Sequence, residues 1–157
     1  MPRIEEYDVW LLQKNLPGMT AFETEIAKQW IVRHANDYDS IEFNVRLGKA
    51  QGIPPSFDES MIRLSQAITR QRADIVAHVD YAVDIIECKP RAKTSAIGQL
   101  AGYRHLWTDD HPNIPVRRLV VVAIDMDDNV ANVYAREGVV YELYPRPGAQ
   151  TEGASNG

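Results

Sequence analysis

The stretch that decides the fold lies between residues 72 and 90 and reads RADIVAHVDYAVDIIECKP. It contains two apolar runs, residues 73–79 and 82–89, whose β-branched residues predict two strands. Only two residues separate the runs, a spacing that predicts a tight antiparallel hairpin, although no Asn-Gly or Asp-Gly pair fixes the turn type. Pro90 is expected to end the second strand because proline has no backbone N–H to donate.

Upstream of the hairpin the sequence predicts a helix and a strand. Thr20 and Glu23 form a capping-box pattern, and apolar residues then recur at helical spacing up to about His34. Residues 40–47 alternate apolar and polar side chains and stop at Gly48, which is typical of a strand with one solvated face.

Downstream of the hairpin, helical and strand patterns alternate. The predicted elements are a helix capped by Ser95 that ends near Trp107, a strand over 118–124, a helix over 128–137 and a strand over 139–144. The whole order is characteristic of the α/β class.

The length of 157 residues suits one domain, which would bury roughly 70% of the surface of its unfolded chain. We expect this domain to span residues 1–144. Residues 48–69 form a loop-helix insert, in which Asp58 is expected to cap the helix. Residues 145–157 are rich in Pro, Gly, Ser and Thr and predict a disordered tail.

The composition excludes several classes of protein. No apolar stretch approaches the roughly 18 residues that a membrane span needs, so no membrane partner is expected. The single cysteine, Cys88, cannot form an intramolecular disulfide, and the first residues lack the apolar segment of a signal peptide. These features predict a cytoplasmic protein. No zinc spacing, phosphate-binding glycine loop or dinucleotide motif is present.

The charge is distributed unevenly. A net charge of −5 argues against coating nucleic acid by bulk electrostatics. Residues 63–118, however, carry nine Lys and Arg against six acids, whereas the remainder has a net charge of −8. The middle of the chain is therefore the candidate anion-binding region.

Candidate chemistry is concentrated at the end of the second hairpin strand. Glu87 and Lys89 share one strand face, with Cys88 on the reverse. If the first strand places Asp74 beside them, two carboxylates and the carbonyl of Cys88 would form an all-oxygen pocket that suits Mg²⁺ rather than zinc. Attack on a phosphodiester needs such a cation, because negative charge develops on the phosphate oxygens.

Gln99 and Tyr103 lie four residues apart on the next predicted helix, hence on one face. With this pair included, residues 20–144 resemble the PD-(D/E)XK nuclease superfamily, and RecB-type members in particular. The resemblance implies a restriction-endonuclease-like αβββαβ core with a mixed central sheet flanked by helices. Ala73 stands where the family name has proline.

The resemblance also implies a role for each residue of the motif. The groups that would bind Mg²⁺, or Mn²⁺ in its place, are Asp74, Glu87 and the carbonyl of Cys88. Lys89 would orient or deprotonate water, and Gln99 and Tyr103 would assist substrate placement. The helical acid is Glu23 or Glu25, and spacing favours Glu23. Each residue also has a structural explanation: Glu23 as a capping side chain, Asp74 as a solvated strand-end acid and Lys89 as an edge-strand charge.

The implied function is that of a Mg²⁺-dependent DNA nuclease that is structure-selective or acts within a phage-, recombination- or packaging-type complex. The alternative is an inactive nuclease fold that serves as a DNA- or protein-binding module. The partners expected are DNA, a larger DNA-processing complex and a second copy in a homodimer. Phosphate contacts are predicted for five basic residues near the site, Arg70, Arg72, Arg91, Lys93 and Arg104.

Overall fold

A computed structural model describes residues 10–48, 56, 58–61 and 71–145. Its centre is a five-stranded sheet with the strands in chain order: β1 (Ser40–Leu47), β2 (Gln71–Val79), β3 (Ala82–Ala92), β4 (Val116–Met126) and β5 (Val139–Leu143). β1, β2 and β3 pair antiparallel, whereas β3, β4 and β5 pair parallel. The sheet is therefore mixed, and the α/β prediction is confirmed.

Helices cover both faces of the sheet. They are α1 (Ala21–His34), α2 (Ser95–Asp110) and α3 (Val130–Glu137), and a short 3-10 helix, Ala35–Asp37, follows α1. Trp30 of α1 belongs to a buried cluster on one face, and Trp107 of α2 with Tyr134 of α3 belongs to a cluster on the other. Among the described residues, no helix has the length and apolarity needed to cross a bilayer.

The first helix begins as the sequence predicts. The Glu23 N–H donates to the Thr20 hydroxyl at 3.2 Å, and the Thr20 N–H donates to Glu23 Oε2 at 2.9 Å. This reciprocal pair satisfies two N–H groups that have no partner within the helix. The observed ranges of α1 and β1 confirm the predicted helix and strand.

The central hairpin is also confirmed. Asp80 at its tip has a φ of 51°, a left-handed conformation that Asp tolerates better than most residues. Its N–H donates to Asp39 Oδ2 at 2.8 Å, so a side chain before β1 holds the turn.

Two predicted boundaries are wrong. β3 does not end at Pro90 but runs to Ala92, because its pairing with β4 continues through Arg91 and Asp125 on both sides of the proline. Ser95 is the first residue of α2 and not its cap; Thr94 takes the cap position, without a side-chain hydrogen bond.

The remaining boundaries differ by a few residues. The final helix begins at Val130 rather than at about residue 128 and ends, as expected, before Gly138, whose φ of 69° suits glycine. Asp58 accepts a hydrogen bond from the Met61 N–H at 2.8 Å, as a cap does. The rest of that predicted helix and the predicted tail beyond Pro145 lie outside the described residues.

A buried acid joins the sheet to the end of α1. Asp84 of β3 is fully buried and accepts the Tyr38 hydroxyl at 2.6 Å. Arg117 donates to both of its oxygens at 2.9 and 2.6 Å, and Arg118 donates twice at 3.1 and 3.0 Å. Burial alone would raise the pKa of Asp84, but the hydrogen bonds from Arg117, Tyr38 and Arg118 outweigh it and lower the pKa.

Candidate active site

The candidate site lies where β2 and β3 separate. Their ladder ends with the pair Ile75–Ile86, and Asp74 and Glu87 are the next residue on each strand. The carboxylate of Asp74 reaches across the gap, where its Oδ2 accepts the N–H of Cys88 at 2.8 Å. At this position the Asp74 carboxylate therefore takes the place of a backbone partner, and the Cys88 N–H holds it in position.

The pleat of β3 orients the other groups. Val83 and Ile85 belong to the cluster under α2, and Glu87 and Lys89 continue the same alternation. Cys88 is completely buried in the cluster under α1, so its thiol faces away from the two charged residues. This packing agrees with the faces that the sequence predicts.

Glu87 and Lys89 form an ion pair at the site. Glu87 is only 3% exposed, and its Oε1 lies 3.1 Å from the Lys89 Nζ. Its second oxygen, Oε2, has no hydrogen-bond partner among the described residues. A buried carboxylate oxygen without a donor is costly, so this atom is suited to accept a proton or bind a cation.

The two carboxyl groups have raised pKa values. Burial, followed by the charge of Glu87, raises the pKa of Asp74 to about 8. Burial also raises the pKa of Glu87, against the lowering effect of Lys89. Raised pKa values in neighbouring carboxylates mean that a positive charge placed between them would be favourable.

The donor set fits a hard divalent cation. Asp74 and Glu87 carry carboxylate oxygens, and Cys88 carries a main-chain carbonyl; these are ligand types that Mg²⁺ accepts together with water. Within the described ranges, no group of three or more His, Cys, Asp or Glu side chains is assembled for a metal. Any ion here would therefore depend on these two side chains, main-chain oxygen and water.

Of the two candidate helical acids, Glu23 acts on the carboxyl groups of the site. The charge of Glu23 contributes to the raised pKa of both Asp74 and Glu87, so its carboxylate lies near theirs. Its Oε2 also accepts the Thr20 N–H, so Glu23 caps α1 as well. Glu25 is exposed on α1.

Gln99 and Tyr103 form a hydrogen-bonded pair on α2. Gln99 Nε2 donates to the Tyr103 hydroxyl at 2.7 Å. The pKa of Tyr103 is raised, first by burial and then by the charge of Glu87. The Tyr103 phenol therefore stays protonated, and it lies close enough to the carboxylates for their charge to affect its pKa.

The five basic residues predicted to contact phosphate have different surroundings. Arg91 is already engaged: its Nη1 lies 3.2 Å from Asp125 Oδ2, and its Nε donates to Asp127. Lys93 and Arg104 are exposed, and Arg72 is half-buried in β2. Arg70 lies outside the described residues.

Sequence reasoning missed a depression beside Lys89, between the end of β3 and the start of α2. It measures about 280 Å³ and is lined by Lys89, Pro90, Arg91, Lys93, Ser95 and Ala96. The available signal was the spacing of basic residues at 89, 91 and 93 just before a helix start. The buried cluster around Asp84 was missed as well, although an acid within the apolar run 83–86 could have indicated it.

Comparisons with known proteins show similarity in fold. No family model matches the chain, and no curated protein sequence matches it. A crystal structure of a protein of unknown function is similar over 78% of this chain and 59% of that one, at 12% identity and a TM-score of 0.50. This likeness shows a shared α/β fold.

Two further solved structures are similar at a lower TM-score. EndoMS in complex with double-stranded DNA is 16% identical over 86% of this chain and 49% of that chain, with a TM-score of 0.47. A repair endonuclease from Pyrococcus abyssi is 16% identical over 84% and 50%, with a TM-score of 0.47. This chain thus spans about half the length of those two proteins.

Proposed function

We propose that the chain is a Mg²⁺-dependent DNA nuclease of the PD-(D/E)XK type, which hydrolyses phosphodiester bonds. One observation carries the proposal: Asp74 and Glu87 meet at a strand separation with raised pKa values, and Lys89 stands 3.1 Å from Glu87. Two electron-rich carboxylates beside an ammonium suit a reaction that needs a metal ion and a positioned water.

In this proposal, residues of the chain bind the metal ion and orient the water and the substrate. Asp74, Glu87 and the Cys88 carbonyl would hold the ion, which supplies charge stabilisation for the phosphate and lowers the pKa of water. Lys89 orients the attacking water and offsets the charge of Glu87. Tyr103, kept protonated and hydrogen-bonded to Gln99, can donate a hydrogen bond to the substrate.

The wider setting belongs to the same proposal. Arg72, Lys93 and Arg104, together with Arg70, would contact phosphates without reading sequence, so selectivity would come from DNA structure or from a partner. The partner would be a larger DNA-processing complex or a second copy of the chain, and the compartment would be the cytoplasm. An inactive module that binds DNA or protein is the competing function.

A cleavage assay tests the proposal. Supercoiled, linear, branched and single-stranded DNA would be incubated with the protein in Mg²⁺, Mn²⁺ or EDTA. We expect metal-dependent cutting that is lost in Asp74→Ala, because that change removes one carboxylate donor. Binding without cutting of any substrate in either metal would favour the inactive module, and cutting in EDTA would contradict the metal site.

Asp74→Asn is expected to raise thermal stability without metal. The unfolded chain releases the Asp74 proton near pH 4, whereas the folded protein keeps it until about pH 8, so stability falls as pH rises between these values. Asparagine does not ionise, so the variant avoids this loss of stability, and its side-chain oxygen can still accept the Cys88 N–H. In EDTA near pH 7 we expect Tm to rise by about 5 °C, as measured by calorimetry.

The same pair of proteins gives two controls. Below about pH 4 the gain in Tm should disappear, because Asp74 is then neutral in both states of the wild type. Mg²⁺ should raise the Tm of the wild type but not that of Asp74→Asn, since a ligand stabilises only the state that binds it. A lower Tm for the variant near pH 7 would contradict the raised pKa.

A further inference from the structure

We propose that the depression beside Lys89 is a second phosphate subsite, which holds the phosphodiester adjacent to the one that is cleaved. This inference rests on the proposed nuclease function and adds a position for the DNA strand. The depression of about 280 Å³ opens between β3 and α2, and none of the described residues that line it is an acid. Its ligand is therefore an anion, and beside the candidate site that anion is a backbone phosphate.

Lys93 supplies the uncommitted charge of this subsite. Lys89 pairs with Glu87, and Arg91 pairs with Asp125 and Asp127, whereas no acid pairs with Lys93 among the described residues. The main chain of Lys93 is nevertheless held firmly, because its carbonyl accepts the Tyr134 hydroxyl at 2.6 Å and the Ala96 N–H at 3.2 Å. A fixed backbone with a free ammonium is suited to a ligand that arrives from solution.

The start of α2 adds donors on the opposite wall. Ser95 is exposed and places a hydroxyl on the lining. Thr94 at the cap position makes no side-chain hydrogen bond, and the N–H groups of Ala96 and Ile97 donate to the carbonyls of Lys93 and Thr94. The donor that this end presents to a ligand is therefore the Ser95 hydroxyl. The helix is 16 residues long, and its positive end reinforces the attraction that Lys93 provides.

Lys89 connects the subsite to the chemistry. Its ammonium stands beside Glu87 on one side, and its side chain lines the depression on the other. A strand with its scissile phosphate at Lys89 would therefore carry its neighbouring phosphate past Lys93 and Ser95. Asp125 and Asp127, which pair with Arg91, lower the positive potential on this side of the depression. Removing their charge should therefore strengthen DNA binding.

The test compares Lys93→Ala/Ser95→Ala with Lys28→Ala, a matched loss of charge on α1, which packs on the opposite face of the sheet. Affinity for a fluorescent duplex would be measured by anisotropy in EDTA at several salt concentrations, and KM and kcat in Mg²⁺. For the double variant we expect affinity to fall about ten-fold, the slope of log K against log salt to shrink by about one, and KM to rise more than kcat falls. Lys28→Ala should match the wild type in every measurement.

A change that frees positive charge beside the depression should strengthen DNA binding. Asp125→Asn/Asp127→Asn releases Arg91 and should tighten DNA binding several-fold. A wild type that cuts DNA, with KM and salt slope unchanged in the Lys93 and Ser95 variant, would overturn the subsite and leave the nuclease intact. A wild type that neither binds nor cuts DNA would overturn the proposed function, and the subsite with it.

Discussion

Lys89→Ala is expected to lower the rate of phosphodiester cleavage by about 10²–10⁴-fold, the range found when a positioned group that assists proton transfer is removed. The ammonium stands 3.1 Å from Glu87, close enough to orient water at the carboxylates. Its loss also removes the charge that lowers the pKa of Glu87, so this pKa should rise further. Single-turnover rates on the best DNA substrate, measured across pH, would show both effects.

Metal binding should survive this change. Lys89→Ala leaves Asp74 and Glu87 in place, so Mg²⁺ should still raise the Tm of the variant, unlike that of Asp74→Asn. Lys89→Arg keeps a positive charge beside Glu87 and should retain more activity than the alanine variant. A cleavage rate within threefold of the wild type for Lys89→Ala would show that the amine takes no part in the reaction.

Asp84→Ala should be strongly destabilising, with a loss of about 2–3 kcal/mol. The carboxylate is fully buried and accepts hydrogen bonds from Tyr38, Arg117 and Arg118. Its removal leaves two guanidinium groups without their counter-charge and a buried phenol without its acceptor. Urea unfolding, followed by circular dichroism, measures the loss.

The pH dependence of this loss has a defined sign. The lowered pKa of Asp84 means that its contribution is present above the ordinary Asp pKa and is lost as pH falls through the folded value. The difference between wild type and Asp84→Ala should therefore narrow in acid. Asp109→Ala is the control, because Asp109 is exposed and faces His105 at 3.6 Å, and it should cost less than about 1 kcal/mol. A loss of that small size at Asp84 would refute the buried network.

Local sequence signals predicted most of the fold. The capping box at Thr20, the two-residue hairpin connection and the glycine after α3 each depend on neighbouring residues, and each is present in the structure. Pro90 misled because its effect depends on a distant partner. β4 continues to pair with β3 beyond the proline, and no short-range pattern carries that information.

The residue types of the candidate site could be read from the sequence, but the contacts between them could not. The alternation of β3 predicts the shared face of Glu87 and Lys89, whereas the hydrogen bond from Cys88 to Asp74 exists only because the hairpin strands separate there. The pairing of Arg91 with Asp125 joins residues 34 positions apart, so sequence spacing could not distinguish an engaged arginine from a free one.

Pro90 also bears on how the notch between the strands stays open. Beyond the last residue pair of the hairpin, a neighbouring segment that filled the opening would gain main-chain hydrogen bonds. Pro90 has no backbone N–H, so a segment that paired with β3 at this position would lack one hydrogen bond. Pro90 therefore reduces what either a segment of this chain or a strand of another molecule would gain by pairing in the opening beside the carboxylates.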